Sequence, residues 1–281
     1  MAKTRRELAE SLKVVDMAIE ALDARVPISS QNPEIARILA GRPKVVALNK
    51  SDLADPRANE SWRRKFDSDG EVCALVDAKT GKGVAPLREQ IARVSAEKAR
   101  KHESRGVVSR PVRVMVVGIP NSGKSTIINT LARRASAITG DRPGVTRARQ
   151  WIRLGGGVEL LDTPGVLWPK FDDEAVGFRL AATGAIKDEV VDAQAVAERL
   201  LRTLSRDYPA LLESRYGFAP DEPIGGGDDE ALPMLRAVCS ARGFVMRGGV
   251  PDLARAAAAA LDEFRAARIG RITLEWPKER Q

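Results

Sequence analysis

Asn49-Lys50-Ser51-Asp52 precedes Gly118-Ile119-Pro120-Asn121-Ser122-Gly123-Lys124-Ser125 by about seventy residues, and that order restricts the fold more than any other feature of the chain. The later stretch fits the phosphate-loop pattern G-x-x-x-x-G-K-[ST]. The earlier one fits the guanine-reading pattern Asn-Lys-x-Asp. Most domains that carry both motifs run the other way round. A sheet whose old ends are joined, and whose new ends open elsewhere, builds the same pocket from either order. The reading is therefore an α/β domain, circularly permuted and doubly wound around a mostly parallel sheet, that binds GTP.

The local context supports both motifs. Val112-Arg113-Val114-Met115-Val116-Val117 reads as a buried parallel strand, and Ser125 to Leu131 reads as helix. Gly118 and Gly123 let the backbone curl so that its N–H groups face phosphate oxygens. Lys124 is placed to reach the β- and γ-phosphates, and the Ser125 hydroxyl to ligate Mg²⁺. Ser122, Gly123, Lys124, Ser125 and Thr126 are expected to line the nucleotide at a helix N-terminus. A second strand, Val158 to Leu161, ends in Asp162-Thr163-Pro164-Gly165. An acid there suits a second Mg²⁺ ligand, and the Gly165 N–H suits the γ-phosphate. Between these motifs lies Arg142-Pro143-Gly144-Val145-Thr146, with Thr146 the candidate switch hydroxyl on Mg²⁺. Lys124 and Thr146 are the candidate catalytic residues.

The base site follows from the other half. Val45 to Leu48 reads as a strand with Asn49 to Asp52 at its C-terminal end, where open α/β sheets bind ligands. The Asp52 carboxylate can accept from guanine N1–H and its exocyclic amine, a donor pair adenine lacks. Asn49 is expected at the base edge and the Lys50 stem along the ring. A further strand, Glu71 to Val76, leads to Asp77-Ala78-Lys79-Thr80-Gly81, assigned by position: Asp77 borders the base and the Ala78 N–H faces guanine O6. The opening strand, Val14 to Leu22, ends at Asp23-Ala24-Arg25-Val26-Pro27. In an unpermuted domain it would follow Asp162.

Taken together, these stretches resemble the circularly permuted ribosome-biogenesis GTPases. The resemblance covers Met1-Ala2-Lys3, Asp23 to Pro27, Asn49 to Asp52, Gly118 to Thr126, Arg142 to Thr146, Asp162 to Lys170, Thr183-Gly184-Ala185-Ile186-Lys187-Asp188 and Gly270 to Glu275. It runs nearly end to end. It implies a factor acting late in assembly of the large ribosomal subunit, binding the particle and its rRNA with GTP and leaving after particle-stimulated hydrolysis. It also implies K⁺ dependence through Asn121, the phosphate-loop asparagine. The water-orienting glutamine of Ras-like enzymes is replaced, because Val166 follows Gly165. In the family a histidine just before Met-Ala-Lys is the proposed substitute. Met1 opens this sequence, and its single histidine is His102.

Composition bounds the rest. The 281 residues suffice for a GTP-binding domain over 1–170 and a smaller helical one over 171–281, expected to meet RNA or the ribosome. A polar stretch over about 95–110 joins the old termini, and it reads as a solvated linker helix or an RNA contact. Cys73 and Cys239 sit in apolar segments and read as reduced core residues of a cytoplasmic protein. No run approaches the ~20 apolar residues of a membrane span. A net charge of +8 favours polyanions, while 4% aromatic content offers few stacking platforms. Structured RNA is therefore expected over splayed single strands or DNA, with the chain a monomer. A second reading is a nucleotide-indifferent RNA-binding module with a vestigial GTPase. A third, an ATP-driven metabolic kinase, is opposed by Asn-Lys-Ser-Asp.

Overall fold

The computed structural model describes residues 14–39, 41–104, 110–139, 151–155, 157–162, 173–218 and 232–277. Apolar runs become strands: β1 (Met17–Asp23), β2 (Lys44–Asn49), β3 (Val72–Val76), β4 (Val112–Val117), β5 (Trp151–Gly155) and β6 (Val158–Asp162). Every residue of β1 is buried, as a strand covered on both faces requires. The helices of this part are α1 (Pro33–Ile38), α2 (Pro56–Ser68), α3 (Ala85–Glu103) and α4 (Lys124–Thr139).

The sheet order is β3-β2-β1-β4-β6-β5, parallel except for β5 against β6. That order bears out the permutation. The opening strand β1 lies between β2 and the phosphate-loop strand β4, and β4 pairs with β6 on its other side. From β1 the chain winds one way through β2 and β3, and from β4 it winds the other way. The reversal between β1 and β4 is the crevice where such sheets bind ligands. β5 and β6 pair antiparallel, with Gly157 before β6 at φ +72° in open space.

The opening strand is shorter than expected at its start. Val14 to Asp16 stay outside β1 because the Asp16 carboxylate faces other work. It accepts from the Arg113 N–H at 2.9 Å, Lys98 at 2.7 Å and Arg110 at 3.0 Å. Burial opposes ionisation of Asp16, but the Arg113 N–H and Lys98 outweigh it and hold its pKa below the usual range. This ties the end of α3 and the return into β4 to one carboxylate. The 95–110 stretch is therefore helical as far as Glu103, and two of its cations are engaged within the fold, not available as free phosphate contacts.

A second group of helices is α5 (Glu174–Ala182), α6 (Ala193–Asp207), α7 (Pro209–Tyr216), α8 (Pro233–Arg242) and α9 (Leu253–Arg265), with a short 3₁₀ turn at Asp188–Val190. Asp173, Asp192 and Asp252 each accept backbone N–H groups of the first turn that follows, so these helices begin one residue after the aspartate. Leu200, Leu201, Leu204, Leu235, Val238, Ala257, Ala260, Leu261 and Phe264 make their core.

Three arrangements here escape a linear reading. Leu232, before α8, has φ +62° and no capping side chain. Glu198 of α6 does the capping instead, accepting from Met234 N at 3.3 Å and Leu235 N at 3.0 Å. Glu263, on the apolar face of α9, is buried and accepts from Arg215, Arg242 and the Tyr216 hydroxyl. Arg265 donates to the Ala181 and Ala182 carbonyls at the end of α5 and to Asp188. Thr183 to Asp188 is thus a helix-ending turn locked by Arg265, and Arg255 packs over Phe244, 4.5 Å from the ring centre. Arg265 is therefore committed within the fold, while Arg255 stays exposed with its guanidinium over the ring.

The chain divides into two compact units. One comprises Met1–Asp52, Pro56–Phe171 and Glu275–Gln281; the other comprises Leu53–Asp55 and Asp172–Leu274. Within the helical unit, Leu53–Asp55 is bound by the closing stretch: Ile272 N donates to Leu53 O, Arg271 Nε to Ala54 O, and Asp55 N to Thr273 Oγ1. Within the sheet-containing unit, the Glu275 carboxylate accepts from Ile28 N at 2.8 Å, Ser29 N at 3.0 Å and the Ser29 hydroxyl. Trp62 Nε1 donates to the Glu275 carbonyl at 2.7 Å. Removing such a buried carboxylate leaves its donors without an acceptor. Glu275→Ala is expected to destabilise the protein by about 3 kcal/mol. Urea unfolding checks this, and a loss under about 1 kcal/mol would contradict it.

Cys239 is buried and Cys73 half-buried, and both thiols are free. Burial pushes Cys73 up to about 12, with Asp67 adding to the rise, which suits an unreactive core residue. Among the described residues no helix is long and apolar enough to cross a membrane.

Candidate nucleotide site

The phosphate loop leaves β4 at Gly118 and enters α4 at Lys124. Its backbone needs unusual conformations at three points: Gly118 at φ +150°, Asn121 at +58° and Gly123 at +89°. A Cβ on Gly118 would meet the Ala21 carbonyl of β1 at 2.4 Å, so glycine is required by the neighbouring strand as well as by φ. Within the loop the Ser122 hydroxyl donates to Ile119 O at 3.0 Å, and Lys124 Nζ donates to the same carbonyl at 2.7 Å. The loop thus holds its own lysine folded over it. Ser125 is exposed and Thr126 partly exposed on the first turn of α4.

Asn49 joins this loop to the base-side motifs. Its Nδ2 donates to Ser122 O at 2.9 Å, and its Oδ1 accepts from the Ala78 N–H at 3.1 Å. Both the Asn49 side chain and the Ala78 N–H, expected to face the base, are engaged in holding three loops in register. The reason is geometric. β2 lies between β1 and β3, so its last side chain reaches the loops on both sides.

Lys50 has φ +59°, and its Nζ donates to Asp23 Oδ2 at 2.9 Å. Ser51 N donates to Val76 O, and Ser51 O accepts from the Asn59 amide. Asp52, three residues past the end of β2, is exposed. Asp77 is buried and caps its own turn, accepting from Lys79 N, Thr80 N and the Thr80 hydroxyl. Burial raises its pKa, but these donors, Thr80 first, bring it below the usual range. Its carboxylate shapes the turn through Ala78.

Asp162 ends β6 opposite Val116 of β4, two residues before Gly118. Its backbone therefore lies at the same sheet edge as the phosphate loop. Thr146 and Gly165 lie outside the described residues, as do the Arg142–Thr146 stretch and Met1-Ala2-Lys3. Among the described residues no group of three or more His, Cys, Asp or Glu could hold a metal. A hydroxyl plus one carboxylate suits Mg²⁺ held partly by phosphates, since both are hard oxygen donors.

Sequence reasoning missed several residues of this edge. Gly83 lies at φ +76°, where a Cβ would meet Leu75 O at 1.8 Å. The Thr130 hydroxyl of α4 donates to Ala78 O at 2.7 Å, tying the phosphate-loop helix to the β3 loop. Ser30 Oγ accepts from the Asp23 N–H. A glycine pair flanking Lys82 was the one visible signal, since hydroxyls leave none.

Comparison with known proteins decides the assignment. A family model described as 50S ribosome-binding GTPase matches residues 113–207. Ribosome biogenesis GTPase A of Priestia megaterium is 44% identical over 280 residues, covering 99% of this chain and 95% of the relative. The chain belongs to the ribosome biogenesis GTPase A family. It is accordingly a GTP hydrolase. A mouse relative, mitochondrial ribosome-associated GTPase 1, is 32% identical over 298 residues, covering 98% of this chain and 88% of the relative. The crystal structure of GNP-bound YlqF from T. maritima superposes with a TM-score of 0.67 at 25% identity, covering 99% of both chains. This ribosome biogenesis GTPase A family member therefore shares its circularly permuted fold with a protein seen holding a guanine nucleotide.

Proposed function

We propose that the chain is an assembly factor for the large ribosomal subunit that binds the particle with GTP and leaves after particle-stimulated hydrolysis. The near full-length identity to proteins named ribosome biogenesis GTPase A carries this reading.

In this reading the phosphate loop, Asn121 to Thr126, cradles the phosphates, with Lys124 on the β- and γ-oxygens. Asp52 reads guanine, Asn49 and Ala78 hold the base-side loops, and Asp77 sets their turn. Ser125, Asp162 and Thr146 would hold Mg²⁺, which draws negative charge from the phosphates when bound. Thr146 and Gly165 report the γ-phosphate. Asn121, held at positive φ on the exposed lip of the loop, is the place for K⁺. Replacing K⁺ by Na⁺ is expected to slow hydrolysis about tenfold, and equal rates in the two salts would remove that assignment.

Charge directs which unit meets RNA. The helical unit carries 13 Lys and Arg against 18 Asp and Glu, the other unit 33 against 20. Phosphate contacts therefore fall chiefly to the GTP-binding unit. The helical unit offers apolar contact instead: Val245, Met246 and Val250 are each more than half exposed on a hairpin closed by the Val245–Pro251 bridge. A cytoplasmic monomer fits this role.

Co-sedimentation with large ribosomal subunits tests the reading, comparing a non-hydrolysable GTP analogue with GDP. Pelleting with the analogue alone is expected. Equal pelleting in both states would favour the nucleotide-indifferent RNA-binding module, and none in either would break the ribosomal assignment.

A further inference from the structure

The end of β1 carries two charged residues, Asp23 and Arg25, to which no phosphate or base contact is assigned. Asp23 and Arg25 are both almost wholly buried, at 2% and 1% exposure. Asp23 Oδ1 accepts from Arg25 Nε at 2.9 Å and from Arg25 N at 3.1 Å. Asp23 Oδ2 accepts from Arg25 Nη2 at 2.7 Å and from Lys50 Nζ at 2.9 Å. The loop behind is fixed as well: Asp23 N donates to Ser30 Oγ, and Ile28 and Ser29 are held by Glu275. Asp23 pairs in register with Asn49, so Lys50 is the next residue along the neighbouring strand.

A carboxylate removed from water this completely is stable only while its cations stay. Burial opposes its ionisation; Arg25 first and then Lys50 reverse this and hold it far below the usual carboxylate range. Lys50 is not free to swing, because leaving would strip a buried anion of one of its two cations. Its backbone is already in the left-handed region, which points the side chain off the strand path. With both ends anchored, the four-carbon stem is drawn across the sheet edge between β2 and β1. A lysine that is normally a flexible, solvated rod becomes a fixed apolar bar.

We propose that Asp23 is a positioning residue for the guanine nucleotide, fixing the Lys50 stem as the surface on which the purine face rests, with Arg25 holding Asp23 in place. This rests on the assignment of Asn49 to Asp52 as the base site. Asp23 itself touches neither base nor phosphate and acts through Lys50. A prepaid side-chain orientation strengthens binding because less freedom is lost when the nucleotide arrives.

The test is a double-mutant cycle on GDP affinity, read by isothermal titration, with Asp23→Asn, Lys50→Met and the double variant. Lys50→Met keeps an apolar stem but removes the anchored ammonium. Each single change is expected to weaken GDP about tenfold, and the double no more than either alone, because the two act as one unit. kcat at saturating GTP should stay within about twofold for Asp23→Asn, since the stem's role is in binding. Unchanged GDP affinity in Asp23→Asn, or losses that multiply in the double variant, would overturn the proposal. If Asp23→Asn does not fold, Lys50→Met decides alone, because the lysine tip is partly exposed; full GDP affinity there overturns it. Failure of the base-site assignment reads differently: Asp52→Asn would then leave the preference for guanine over xanthine intact, whatever the Asp23–Lys50 cycle shows.

Discussion

Gly123→Ala is expected to abolish nucleotide binding, lowering GDP affinity by on the order of 10³-fold or more. Gly123 sits at φ +89°, a conformation L side chains rarely adopt. A Cβ there would lie 2.0 Å from Asn49 Nδ2. Asn49 cannot give way cheaply, since its amide is held by Ser122 O and Ala78 N on two other loops. One methyl group therefore has to break either the phosphate loop or the stitch that joins it to the base side. Gly157→Ala is the control: φ is +72°, but nothing lies within 4 Å of its Cβ. That change should cost only about 1 kcal/mol of stability and no affinity. Titration of GDP against both variants checks the contrast. A Gly123→Ala protein that binds within tenfold of the parent would show that the loop does not hold phosphates in this conformation.

Asp52→Asn is expected to exchange guanine for xanthine. In the proposed base site the carboxylate would accept from two guanine donors, whereas an amide in its place offers one acceptor and a repelling N–H. Sites built on such pairing reject the mismatched ligand strongly. GTP affinity should fall on the order of 10³-fold, and that for xanthosine triphosphate should rise by a similar factor. Asp52 is exposed and has no structural task comparable to Asn49, so the melting temperature should not move. Competition between the two triphosphates for the variant measures the swap directly. GTP binding as tight as in the parent would sink the base-site assignment while leaving the phosphate loop intact.

These two positions illustrate different degrees of legibility. The assignment of Asp52 rests on local chemistry alone: one exposed acid just past a strand end, proposed to pair with one base edge. Gly123 was legible as a loop glycine, but the partner that forbids a side chain there is about seventy residues away. A separation of 29 residues likewise explains why Asn49 and Ala78 were expected against the base and are found bonded to each other. A motif records which residue types a pocket needs, while the distribution of their hydrogen bonds depends on which loops the sheet brings together.

Buried charge was the least legible feature. Glu263 lies on the apolar stripe of α9 and Glu198 on that of α6, and spacing alone assigns such positions to solvent or error. Each is instead surrounded by donors: arginines and a tyrosine for Glu263, and the uncapped start of α8 for Glu198. Arg265 of α9 is committed within the fold as well, to the Ala181 and Ala182 carbonyls and to Asp188.

By itself the sequence determined strands β1 to β4 and β6, the nucleotide motifs and, through the order of those motifs, the permutation. Strands and motifs depend on neighbours within a few residues, apolar runs and glycine turns, and the permutation needs only their order along the chain. Only the tertiary structure decided that Asp23 and Arg25 anchor Lys50, that Glu275 clamps the loop behind them, and that Leu53–Asp55 belongs to the helical unit. Those arrangements pair groups from distant parts of the chain. Their energy comes from burying charges together, which no local pattern records.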